Sequence, residues 1–231
     1  MLSSWRTTTV ELRREARAIA RQGQLMAERA PWIDGAGSRT VVFVHGFMAH
    51  GRVFGPMREH VARACDVSTL EVSYGPFERF ETVAERVHAA VASAPPGPVI
   101  LVGHSLGGLL SRWCLQELGG DARIERIVTL ASPHAGTTAA NVPFGPLTRA
   151  IRPGSVQLRT LEAGAHRVAH VPHVAVVAAR DRMILPATSA AALPRAHVTW
   201  MHDLGHNEIL FDARVFELVA DAIGRRQPAS R

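Results

Sequence analysis

Residues 99–110 read Val-Ile-Leu-Val-Gly-His-Ser-Leu-Gly-Gly-Leu-Leu. The first four are continuously apolar, as suits a strand buried on both faces, and the leucines that follow belong to a stretch with helical spacing. Between them the chain must reverse sharply. Gly103 and Gly107 flank Ser105 two positions away on either side, the spacing that a tight strand-to-helix turn needs if it is to leave one hydroxyl clear of its neighbours. Taken alone, a Gly-x-Ser-x-Gly segment also arises by chance and marks only a glycine-rich turn, so the surrounding chain has to decide.

Working outward, short β-branched runs alternate with amphipathic stretches. Strands are expected within 39–47, 66–74, 97–105, 124–133, 174–183 and 197–206, and helices over 50–65, 77–94, 106–120 and 212–225. This alternation implies an α/β fold with a mostly parallel central sheet of about six strands and helices on both faces, because parallel neighbours need crossover connections. Ligands of such sheets bind at the carboxyl ends of the strands. Residues 133–172 break the rhythm: five prolines and no strand-like run stand between two strands, which points to a small cap insertion with one or two short helices. The length of 231 residues suits one catalytic domain, taken as 39–231, preceded by a helical extension over 1–38. In that extension Val10, Leu12, Ile19, Leu25 and Met26 suggest a helix whose modest apolar stripe packs on the domain's flank.

Composition narrows the function classes. Hydrophobic residues make up 47% and charged residues 20%, an ordinary globular mix, and no apolar run reaches the length of a membrane span. The formal charge of +6 comes from arginine alone. Such a bias is weak support for nucleic-acid binding, and none is expected, although it leaves room for peripheral attraction to an anionic lipid surface. Cys65 and Cys114 cannot form a disulfide framework or a zinc site by spacing, and no metal is expected. The first residues lack the apolar core of a signal peptide, and a cytoplasmic location is the expectation.

Serine is a poor nucleophile unless a base lies within hydrogen-bond reach, a third group orients that base, and donors await the oxyanion. Ser105 is the candidate nucleophile. Leu106, first in the following helix, offers one backbone N–H, and Phe47, after the His45-Gly46 pair that ends the first strand, offers the second. Among twelve histidines His206 suits the base best, since Gly205 lets a loop carry it back over the sheet edge. His134 is the rival base and is better suited to the substrate pocket; His45 suits a structural role in its loop. Asp181, ending the penultimate strand, is the candidate orienting acid, with Asp203 second and Glu208 also near His206 in sequence. Substrate contacts are expected from Met48 after the first strand, from His134, from Val142, Phe144 and Leu147 in the cap, and from Met183 and Ile184 beside the acid.

The segments His45-Gly46-Phe47, "GHSLGG", "LASPHAGT", "ARDRMILP" and "LGHNEIL" occur in the order found in the α/β-hydrolase superfamily, and over residues 40–224 the chain resembles its bacterial triacylglycerol lipases and esterases. The resemblance implies hydrolysis of a small-molecule or lipid acyl ester through an acyl-enzyme, with no cofactor and with the first antiparallel strands of larger members absent. The loop "HGFMAHG" lacks the extra glycines of the HGGG type. Two other readings use the same fold: acyl transfer to an alcohol or amine, and binding of a hydrophobic ligand without turnover.

Overall fold

The computed structural model describes residues 2–27, 37–141 and 144–224. Six strands, β1 (Arg39–Val44), β2 (Val67–Val72), β3 (Val99–His104), β4 (Ile124–Leu130), β5 (His173–Ala178) and β6 (His197–Met201), form one sheet in the order β2-β1-β3-β4-β5-β6. Every neighbouring pair is parallel. Alternate side chains feed two separate cores. Val42, Val44 and Leu101 face helices α3 (Phe80–Ser93) and α4 (Leu106–Glu117), whereas Phe43, Ile100 and Val102 face α2 (Gly55–Ala64) and α7 (Ala213–Gly224). Burial on both faces is why these strands carry apolar residues without interruption.

From β1 the chain moves one way to β2 and then returns to lay β3 on the other side of β1. That reversal opens a crevice at the carboxyl ends of β1 and β3, the topological switch point of an open α/β sheet. Val44 at the end of β1 pairs with Gly103, so the loop after β1 and the turn after β3 are neighbours by register.

Several elements are shorter than periodicity suggests. β5 ends at Ala178 and β6 at Met201, leaving Asp181 and His206 on loops, and the helix expected over 50–65 opens as a 3₁₀ turn (Gly51–Phe54) before α2 begins with Pro56 in its first turn. Between β4 and β5 stand α5 (Pro146–Ala150) and α6 (Val156–Gly164).

The N-terminal helix α1 (Leu2–Ala27) packs on the domain, but chiefly through polar residues and not through the expected apolar stripe, of which Leu25 is half-buried. Val10, Leu12, Ile19 and Met26 are exposed, while the side facing the domain presents Glu11, Arg14, Glu15, Ala18 and Gln22. These inward positions recur at three- and four-residue intervals, so they share one helical face. The contact is chiefly polar: Glu11 pairs with Arg180 at 2.9 Å, Arg14 with Glu208 at 2.6 Å, and the Arg21 guanidinium lies over the Phe211 ring. Apolar periodicity pointed to the wrong face of the helix because its docking partners are charged loops rather than a core.

Candidate active site

Ser105 occupies the turn between β3 and α4 with φ 53° and ψ −122°, a strained left-handed backbone for a residue with a side chain. Its neighbours explain how the turn is enforced. A Cβ at Gly103 would lie 2.5 Å from the main chain of Gly107 and Gly108, and one at Gly107 would lie 2.0 Å from the Val44 carbonyl oxygen. Only glycine lets the start of α4 press this closely on β3 and β1. The Ser105 N–H donates to the Leu130 carbonyl at 2.8 Å, tying the turn to β4. Leu106 opens α4, so its N–H has no acceptor within the helix, and the Phe47 N–H has no acceptor among the described residues. Phe47 and Met48 form the centre of a turn closed by Ala49 N–H on the Gly46 carbonyl, with Met48 at φ 56°.

His206 and Asp181 meet although 25 residues separate them. His206 Nδ1 donates to Asp181 Oδ2 at 2.8 Å, and both residues are buried. The other carboxylate oxygen, Oδ1, accepts from the N–H groups of Met183 (2.8 Å) and Ile184 (2.7 Å), which locks the carboxylate on its loop. With Nδ1–H committed to Asp181, Nε2 is left with its lone pair, the form a general base needs.

His104 has a part that its sequence position does not reveal. Its Nε2–H donates to the carbonyl of His206 at 3.0 Å, and the two rings stand 4.7 Å apart. Burial, reinforced by the nearby His206, pushes its pKa well below the usual histidine value, so the ring stays neutral. A neutral neighbour would not oppose a positive charge on the His206 ring. His45 is likewise buried and pushed down to about 4, chiefly by burial. It donates from Nδ1 to the Gly46 carbonyl at 2.7 Å, accepts from Tyr74 N–H at Nε2 (3.2 Å), and stacks on the Tyr74 ring. This pins the loop that carries Phe47.

A cavity of about 470 Å³ brings Phe47, Ser105 and His206 together. Met48, Phe144, Met183 and Ile184 line it as expected from the sequence, and Thr137, Ile151, Ile19 and Gln22 join them unforeseen. Two expected contacts are elsewhere. His134 is buried away from the cavity, accepting from Arg112 Nη1 at 3.3 Å and donating to Thr129 Oγ1 at 3.1 Å. Burial and the Arg112 cation hold it neutral, and it serves to tie α4 to β4. Leu147 is fully buried in the core on the α3–α4 face, because α5 lays it inward. Val142 lies outside the described residues. The rival acids are otherwise engaged: Asp203 is exposed and pairs with Arg214 at 2.9 Å, and Glu208 bonds Gly205 N–H and Arg14.

Thr137 carries a signal missed in the sequence. Its hydroxyl donates to the Met183 carbonyl at 2.8 Å and accepts from Leu185 N–H at 2.9 Å, lacing the root of the cap to the loop of Asp181. Among the described residues no cluster of three or more His, Cys, Asp or Glu side chains could hold a metal ion, and no helix is long and apolar enough to cross a membrane.

Comparison with known proteins identifies the fold. The model of the alpha/beta hydrolase family matches residues 41–167. No curated protein matches the sequence. Among solved structures, the lin2722 gene product of Listeria innocua is similar with a TM-score of 0.62 at 11% identity, covering 83% of this chain and 96% of that one. The mature lipase BlEst2 of Bacillus licheniformis gives 0.62 at 16% identity, with coverage of 83% and 96%. The monoacylglycerol lipase of Paleococcus ferrophilus gives 0.58 at 16% identity, with coverage of 80% and 91%. At such identities these likenesses establish a shared fold. With the family match running over more than half of its length, the chain belongs to the alpha/beta hydrolase family.

Proposed function

We propose that the protein is a serine hydrolase of carboxylic esters, working through Ser105, His206 and Asp181. The observation that carries the reading is the 2.8 Å bond from His206 Nδ1 to Asp181, made by a histidine that shares one cavity with Ser105. Ser105 Oγ attacks the ester carbonyl carbon while its proton passes to His206 Nε2. The carbonyl oxygen becomes an oxyanion held by the N–H groups of Phe47 and Leu106, each such donor being worth about 3 to 4 kcal/mol to the transition state. His206 then gives its proton to the leaving alkoxide as the C–O bond breaks, and an acyl-Ser105 remains. Water repeats the sequence, losing a proton to His206, and the acid departs as Ser105 regains its hydrogen. Asp181 stabilises the intervening imidazolium.

The lining supports an acyl or alkyl group as the substrate's apolar part, since Phe144, Met48, Ile19 and Met183 stand around the cavity with their side chains largely exposed. Exposed apolar residues grouped at a site mark a contact surface, which favours esters presented by a lipid aggregate. Comparing an ester series of increasing acyl length below and above micelle formation reads this directly: higher turnover above it supports aggregate substrates, and equal turnover excludes them. For the catalytic assignment, Ser105→Ala is expected to abolish hydrolysis of a short p-nitrophenyl ester and labelling by a fluorophosphonate while the protein stays folded. Retained turnover would refute it. Release of free acid in the presence of alcohol acceptors separates hydrolysis from acyl transfer on the same residues.

A further inference from the structure

We infer that α1 is part of the catalytic apparatus, with Glu15 as a positioning residue that fixes the peptide joining His206 to Asn207; the inference rests on the hydrolase reading above. The two ends of this one peptide unit are held from opposite sides. Its carbonyl accepts from His104 Nε2–H at 3.0 Å, on the nucleophile turn. Its N–H, that of Asn207, donates to both carboxylate oxygens of Glu15, at 2.9 and 3.2 Å. The Asn207 side chain repeats the clamp, donating from Nδ2 to Glu15 Oε1 at 2.5 Å and accepting from Gln22 Nε2 at 2.6 Å. On the other flank of His206, Gly205 N–H donates to Glu208 Oε2 at 2.8 Å, and the other oxygen of Glu208 pairs with Arg14 of α1.

Rotation of the 206–207 peptide plane changes ψ of His206 and tilts the imidazole against both Asp181 and Ser105. Asp181 fixes one point of the ring and cannot prevent that tilt alone. His104 and Glu15 together define the plane, and charge-assisted bonds to a carboxylate are the stronger kind. Gly205 is fitted to this arrangement: a Cβ there would come within 2.5 Å of Glu15 Oε2. The match to the family model begins at residue 41, so α1 is an element this chain brings to the site from outside the matched region. Glu15 touches no reacting atom; it acts through the peptide.

Three full-length variants test this with a p-nitrophenyl ester and with hydrogen exchange. Misplacement of reacting groups by about 1 Å costs about 10²-fold, so the smaller tilt in Glu15→Ala is expected to lower kcat about tenfold with KM within about twofold. Glu15→Gln, whose amide oxygen still accepts from Asn207 N–H, is expected to restore kcat to within about threefold of wild type. Arg13→Ala, on the exposed side of α1, changes neither constant. Amides of residues 205–211 exchange faster in Glu15→Ala while those of β3 do not. Wild-type kcat in Glu15→Ala, or faster exchange spread over the whole chain, would overturn the positioning role alone. A wild-type protein with no ester turnover and no fluorophosphonate labelling of Ser105 would overturn the hydrolase reading and the positioning role with it.

Discussion

Asp181 divides its two oxygens between two tasks, one holding its own loop and the other holding His206. Replacement by asparagine separates them. In Asp181→Asn the amide oxygen keeps the bonds from Met183 and Ile184 N–H, so the melting temperature should barely move. The amide NH₂ then faces His206 Nδ1, forcing that nitrogen to accept and placing the proton on Nε2, where it blocks removal of the serine hydrogen. A fall in kcat of about 10³ to 10⁴ is expected, read with a p-nitrophenyl ester; a loss below tenfold would remove Asp181 from the triad. At this scale the sequence was legible where a residue's job is local. Gly103 and Gly107 announce a close approach within their own turn, and Gly205 the loop that carries His206. His104 and Glu15 were not legible, because their partners are 102 and 192 positions away and no spacing rule links them.

Elements were readable from the sequence wherever burial imposes a period. All six strands and the helices α2, α3, α4 and α7 follow from apolar runs and amphipathic spacing, because the central strands lie between two cores and each helix buries one face against one of them. Their ends were read too long, since side-chain bonds such as those to Asp181 terminate the ladder where apolar pattern alone would extend it. The orientation of α1 failed for the opposite reason: its inward face is polar, and hydrophobic periodicity carries no information about a charged seam. The cap root shows how one hydroxyl couples two elements. Thr137→Val removes a donor to the Met183 carbonyl and an acceptor for Leu185 N–H. Both main-chain groups flank Asp181's loop, so a destabilisation of about 1 to 3 kcal/mol is expected by urea unfolding, accompanied by a lower kcat. Unchanged values for both would show that the lacing is dispensable.

Across the whole molecule, the buried His45, His104 and His134 and the half-buried His173 bias stability toward neutral pH. His45 and His173 are pushed down to about 4, chiefly by burial, and His104 and His134 well below the usual value for the same reason. The unfolded chain binds these protons near 6.5 while the fold refuses them, so their stabilising contribution is complete above that pH and drains away as pH falls toward 4 and below. Each histidine contributes a slope of about 1.4 kcal/mol per pH unit in that window. Melting temperature is therefore expected to drop steeply from pH 6.5 to 4, and His173→Gln, which removes one such proton, should flatten the curve; an equally steep profile in that variant would exclude His173 as a contributor.

The strand order has one more effect. Ser105 follows β3, which has two strands on one side and three on the other, whereas His206 follows β6 at the margin of the sheet. β6 is only partly buried whereas β3 is buried throughout, and segments with fewer buried contacts open at lower free energy, so the loop of His206 is expected to open before the turn of Ser105. Turnover of a p-nitrophenyl ester followed against temperature should then fall below the temperature at which the fold melts, and coincident loss of both would exclude this local opening.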